Sequence, residues 1–433
     1  MVNQQGIAQA TSIDNPSQYA LADVQQSPFD WPSTSSSLGS KRVESGKPLQ
    51  EFRGSGIFGP HNYDEGDRWL DWGILVQGEY LNNAPNDGPE TEQIFFRRLR
   101  PTIMGGNGDW QGILQMDFGS GANGTTSATT VRWANFAYTG IHQAHVTFGS
   151  FKPWFSRELI TLGPHLQTIE RSFVGNTDYG NPDYMLGVSF DKMSDDRKFA
   201  YYASAGFQDH EQSVTQMQMR SPANVSPGPN TGRLVTGRVD YYLFGQMPYD
   251  SRPLHAPAQI AYNRGDFRTD SWRMIVSSAM FGWWNNNDSN PYTVNGVSTS
   301  TTQADLNQSY GTEVSSGLRG FGISADVEYQ YIRGDLIDSN FTGGLYRNGS
   351  TDMNKFSVNG GYMFPRNIEL VGAWAVVDAT GFQQGLNETT VGTNFYVKKY
   401  AIRFSGNYSF VNNMNGTPGN DIGVTRLISQ FVW

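Results

Sequence analysis

The chain has 433 residues, of which 37% are hydrophobic, and it contains no run of 18 apolar residues, so a transmembrane helix is excluded. It carries 31 basic against 40 acidic residues, net charge -9, and no cysteine. That balance argues against a nucleic-acid partner, and the missing thiols exclude disulfide scaffolds and thiolate metal centres. An aromatic content of 13% with 49 glycines, among abundant Asn, Thr and Ser, reads as an all-β chain with many turns.

In chain order, the opening "MVNQQGIAQATSIDNP" lacks the basic-then-apolar layout of a signal peptide. The expectation is the mature form of an exported protein, whose lack of cysteine suits an oxidising compartment. "SPFDWPSTSSSLGSKRVESGKP" has no periodicity, and residues 1–60 are expected to be a flexible or extended segment ahead of a single β unit over residues 61–433.

From residue 68 the pattern becomes period two. Trp72, Ile74, Val76 and Tyr80 oppose Asp71, Gln77 and Glu79; Trp110, Leu114, Met116 and Phe118 oppose Gln111, Gln115 and Asp117. Further on, Phe321, Ile323, Val327 and Tyr329 oppose Ser324, Asp326, Glu328 and Gln330, and Ile402, Phe404, Tyr408 and Phe410 oppose Arg403, Ser405, Asn407 and Ser409. Segments of about ten residues suit tilted strands crossing a bilayer. Aromatics near the ends of the apolar face suit an interfacial girdle, and the charged opposite face suits a wet lumen. Tight turns at "GGNGD", "TGIHQ", "MSDDR" and "KK" alternate with long Gly/Asn/Thr/Ser-rich links, the asymmetry of outer-membrane barrels. The count is sixteen antiparallel strands, with either "LHAPAQIAYN" or "WRMIVSSAMFGWW" as the ninth. The chain ends on "RLISQFVW", where Leu427, Phe431 and Trp433 form a lipid-facing stripe.

The stretch "VTFGSFKPWFSRELIT…TIERS" (146–172) resembles the phosphate-selective porin O/P family of outer-membrane proteins. "YGTEVSSGLRGFGISADVEYQY", "YMFPRNIEL" and "TNFYVKKYAIRFSGNYSF" are similar to that family's later hairpins. The resemblance implies a bacterial outer-membrane porin: a sixteen-stranded, homotrimeric transmembrane β-barrel whose third loop folds into the lumen. It implies passive diffusion of small hydrophilic solutes and inorganic ions, with an anion or phosphate bias as the finer expectation. Partners are then outer-membrane lipid and lipopolysaccharide. Independently, the segment Phe151 to Pro182 is too rich in Trp, Phe and Leu for bulk water, and folding inward would bury Trp154, Phe155, Leu159 and Leu162.

Candidate lumen-facing cations on the strands are Arg98, Arg100, Arg132, Arg238 and Arg403; candidate acids are Asp71, Glu79, Asp117, Asp240, Asp326, Glu328 and Glu369. The pore path is assigned to Arg98, Arg100, Lys152, Arg157 and Arg171, while strict alternation turns Arg97 toward lipid headgroups. Alternatives are a structural envelope protein with little transport, or an outer-membrane hydrolase, although the chain has no Gly-x-Ser-x-Gly elbow. No enzyme activity, cofactor or metal is expected: "GSGANG" is not followed by a helix pattern, His142 and His145 lack a third ligand, and "NNNDSN" reads as a solvated turn better than a calcium loop.

Overall fold

Alternation of period two becomes strand wherever the apolar parity can face lipid and the polar parity can face its counterparts across a closed wall. The computed structural model describes residues 63–432 apart from 66, 121–128, 212–214, 221, 223–230, 246–264, 286–291, 295–296, 300–305 and 366. Residues 1–60, "LHAPAQIAYN", Trp433 and most of "GSGANG" and "NNNDSN" therefore lie outside the described residues.

Sixteen long strands are found among the described residues: β1 (Arg68–Pro85), β2 (Thr91–Asn107), β3 (Trp110–Asp117), β4 (Thr130–Ile141), β5 (Ala144–Phe151), β6 (Met185–Met193), β7 (Phe199–Glu211) and β8 (Thr231–Phe244) come first. They are followed by β9 (Arg273–Trp284), β10 (Leu306–Gly320), β11 (Ile323–Leu336), β12 (Ser350–Phe364), β13 (Ile368–Ala379), β14 (Leu386–Lys398), β15 (Ile402–Asn412) and β16 (Ile422–Val432). Each pairs antiparallel with its sequence neighbour, and β16 returns to β1 in a ladder from Leu75↔Val432 to Pro85↔Ile422. The sheet is closed. The ninth strand is the one within "WRMIVSSAMFGWW", pairing with β8 and β10 on its two sides.

The outer face carries the apolar parity: Trp110, Phe136, Phe148, Val327, Tyr329, Phe404, Tyr408, Leu427 and Phe431 are all exposed. The inner face is polar and buried, with Gln77, Asp117, Glu313, Asp326, Glu328, Lys355, Arg403 and Gln430 among its members. Short turns lie at one end. The β10–β11 hairpin turns on Phe321 and Gly322, both at positive φ (55° and 87°), a geometry that matches the twist of the flanking strands. Wall height is uneven, since β5 has 8 residues and β6 has 9, against 18 in β1.

The third of the long loops, residues 152–184 between β5 and β6 and hereafter the third connection, holds a single-turn helix α1 (Arg157–Ile160) and a short strand Tyr179–Pro182. That strand pairs parallel with Met217–Arg220, which pairs antiparallel with the end of β7. Trp154 and Phe155 are buried, Trp154 against Tyr202 at 4.5 Å and Phe155 edge-on to Phe281 at 4.7 Å. Burial of two such rings is worth about 4–6 kcal/mol to the docked segment.

Candidate functional site

Chemistry divides the interior in two. On the side of β8 to β13 the third connection is fastened to carboxylates of the inner face. Glu328 accepts hydrogen bonds from the Ser156 hydroxyl (2.8 Å) and the Glu158 backbone N–H (2.9 Å). Glu313 accepts from the Arg157 backbone N–H (3.1 Å) and pairs with Arg238 (3.0 Å). Asp326 is shared by the Arg157 and Arg319 guanidinium groups. Further along, the Gln167 amide donates to Ser324 (2.6 Å) and Glu369 (2.8 Å), and the Lys355 ammonium donates to the Tyr179 carbonyl (3.0 Å).

Glycines on the inner face make room for these contacts. A Cβ at Gly317 would overlap the Arg157 guanidinium, and one at Gly361 would stand 2.6 Å from the Gln167 amide nitrogen.

On the other side a cavity of about 520 Å³ lies between the third connection and the inner faces of β14 to β16 and β1 to β4. Seven basic residues line it, Arg97, Arg98, Arg100, Arg132, Lys152, Arg171 and Arg426, against four acidic ones, Glu170, Asp178, Asp183 and Glu388. Arg100 pairs with Asp117 (2.7 Å), and Arg132 stands 3.5 Å from Asp117 and 3.9 Å from Asp183. Tyr184 lies between two cations, with Arg132 5.7 Å and Lys152 5.6 Å from its ring. Lys152 donates to the Leu159 carbonyl, and Arg171 to the carbonyls of Glu158 and Thr161. Neutral carbonyls hold those two side chains in place without cancelling their charge.

Titration behaviour in the connection follows from burial and neighbours. Burial pushes the Lys152 ammonium well below its usual value, and the nearby Arg171 adds to this. The Glu158 carboxyl is raised by burial, even though Ser172 donates to it through both its backbone N–H (2.9 Å) and its hydroxyl (2.6 Å). Glu170 is also buried, which works against its charge, but Arg97, Arg98 and Arg426 outweigh this and hold it below the usual carboxylate range.

Four of the five residues assigned to the pore path reach the cavity: Arg98, Arg100, Lys152 and Arg171. Arg157 does not. It is fully buried against Asp326 on the opposite wall, a partner 169 positions away that no local pattern announces. The lipid-facing assignment of Arg97 is corrected as well. The ladder shifts register between Gln77↔Arg98 and Gly78↔Phe96, so Arg97 is the extra residue of a β-bulge. Arg97 turns inward to Glu170 (2.6 Å) and stands 3.8 Å from Glu79. Arg426 was missed, although it shares the parity of the buried Ile428 and Gln430; it pairs with Glu79. His142 and His145 each meet one carboxylate, Asp195 (3.0 Å) and Asp191 (2.8 Å). Among the described residues no three ligands converge on a metal position.

A closed sixteen-stranded barrel with an apolar outside and a charged interior defines an outer-membrane porin in architecture. Residues 74–248 match the sequence profile of the phosphate-selective porin O and P family, in agreement with the resemblance read from the motifs and with a place in the bacterial outer membrane. No curated protein matches the sequence. Among solved structures the fold is similar to an anion-selective porin from Comamonas acidovorans (13% identity, 84% of this chain and 100% of that one, TM-score 0.53). It is also similar to the outer membrane channel DcaP of Acinetobacter baumannii (11%, 86% and 99%, 0.54) and to the trimer form of OmpT, an outer membrane protein of Vibrio cholerae (13%, 84% and 99%, 0.51). At these identities the likeness concerns the fold.

Proposed function

We propose that the chain is a passive channel for small hydrophilic anions, with the third connection lying across the lumen as its constriction. One observation carries this reading: the cavity is lined by seven cations and four acids in a chain that is acidic overall. Much of the acidic excess is spent elsewhere, in fastening the connection through Glu313, Asp326, Glu328 and Glu369. Cationic side chains in a narrow, low-dielectric passage concentrate anions and repel cations. Arg98, Arg100, Lys152 and Arg171 form the path, joined by Arg97, Arg132 and Arg426. The test is the reversal potential of the purified protein in planar bilayers under a potassium chloride gradient. Chloride preference is the expected sign, and a cation-selective sign overturns the anion path.

The same reading makes the protein a channel and not an enzyme, so ester or peptide turnover above background would count against it. It also takes the outer face to contact lipid and lipopolysaccharide. A homotrimer is supported by the low wall of β5 and β6. Eight or nine tilted residues fall at or below the roughly 9–11 that a bilayer-spanning strand needs, so a second copy is the better cover for that sector. OmpT of Vibrio cholerae, similar in fold, has a trimer form.

A further inference from the structure

The bulge in β2 sets two consecutive guanidinium groups on the inner face, and their joint occupant is a side chain of the protein itself. Arg97 engages Glu170 through its Nε (2.6 Å) and one terminal nitrogen (3.0 Å), while Arg98 offers a terminal nitrogen at 3.3 Å to each carboxylate oxygen. Arg98 is fixed from behind by Gln77, whose amide oxygen accepts at 2.7 Å and whose amide nitrogen donates to Gln430 at 2.6 Å. A fork-to-fork arrangement of this kind fits any planar or tetrahedral oxyanion of one or two charges. Glu170 stands on the third connection, on the wall of the cavity, and its side chain is more accessible than that of Arg98 (22% against 3%).

Resting on the anion-channel reading above, we infer that Glu170 is the specificity-determining residue of the passage. It is a tethered carboxylate that occupies the Arg97–Arg98 oxyanion site and keeps permeating oxyanions from being retained there. A tethered competitor acts at an effective concentration in the millimolar range or higher, so a free anion must displace it to bind. The charged groups facing Glu170 are Arg97, Arg98, Arg171 and Arg426, with Glu79 behind them; its carboxylate is therefore held ionised, and the competition persists. The channel passes anions quickly because its strongest site is already filled.

The experiment records single-channel chloride currents from the full-length protein while inorganic phosphate is titrated in. Wild type is expected to show weak block, and a wild type blocked at micromolar phosphate overturns the inference. Glu170→Gln and Glu170→Ala are expected to lower the half-blocking phosphate concentration about tenfold or more, since each removes the competitor and leaves both arginines. The Arg97→Gln/Glu170→Gln double variant is expected to lose most of that gain. Conducting Glu170 variants with unchanged block overturn the assignment, as does a double variant blocked as strongly as Glu170→Gln. Reversal potentials from the same recordings keep the two ideas apart. A cation-selective wild type sinks the anion path, whereas the phosphate titration decides Glu170 by itself.

Discussion

On the proposed anion path Arg171 should contribute more to selectivity than Arg100, because its hydrogen bonds go to carbonyls while Arg100 pairs with Asp117; Lys152, whose charged form burial disfavours, adds to it on acidification. Arg171→Gln should reduce the chloride-to-potassium permeability ratio by about two- to threefold, more than Arg100→Gln does, and Lys152→Gln should act more strongly as pH falls; equal effects of the two arginine variants in bilayer reversal potentials would contradict this. The sign of the pH response follows from the same groups. Burial moves Lys152 downward and Glu158 upward from their ordinary values, so acidification charges the first and neutralises the second. Glu170 is held low and stays anionic. The passage therefore gains positive charge as the solution is acidified, and chloride preference should rise; a reversal potential that is flat or moves the other way would refute the assignment. Strict alternation was enough to place Arg98 and Arg100 in the sequence, and Lys152 and Arg171 stand in motifs of the connection. Arg97 was misread because a bulge is set by pairing with the neighbouring strand, which period-two reading treats as uninterrupted.

The third connection is held by contacts with both walls, and its stability is separable from that of the barrel. Arg157→Ala removes one of the two guanidinium groups on Asp326 and leaves Arg319 in place at 2.6 Å. Docking of the connection should weaken by about 1–3 kcal/mol, while the strand ladders are untouched. Open-channel conductance and current noise should both increase, with the heat-denaturation temperature of the barrel nearly unchanged. Gly317→Val should reproduce the effect from the opposite side, by filling the space that the guanidinium occupies. An unaltered conductance in both variants would show that Arg157 does not anchor the passage. Of the four apolar residues expected to be buried, Trp154, Phe155 and Leu159 are, and Leu162 is partly so. The connection's partners were not legible in the sequence, because Glu313, Asp326 and Glu328 lie more than 150 positions away and look like ordinary lumen residues.

For the whole molecule, closure of β16 on β1 ties the chain's end to its first long strand, and the alternation of the last residues announced it. Leu427 and Phe431 face outward as expected. Strand number was readable because each strand carries its own two-faced pattern. The low wall was harder to read, since strand ends depend on where the neighbour's ladder stops. The trimer proposed from that wall predicts a protein mass near three times 48.1 kDa in mild detergent, measured by light scattering corrected for bound detergent. A bilayer-exposed aromatic surface on β3 to β5, where Phe136 and Phe148 stack at 5.4 Å, would be covered in the trimer. Phe148→Arg should then lower the assembled fraction; a particle of a single protomer's mass in the unaltered protein would remove the proposal.

Around the bulge, residue number and wall face are out of phase. In β2 the inward residues are odd-numbered before Arg97 and even-numbered after it, as Glu79↔Phe95 and Gln77↔Arg98 record. Excising the Arg97 codon would restore an unbroken ladder, leaving every flanking side chain on the face it already has. A single three-nucleotide gain or loss can thus add or subtract one charge on the cavity wall without rewriting the barrel. Of the lining cations on the strands, Arg97 and Arg132 are the two that stand at ladder shifts, open to change by length as well as by substitution.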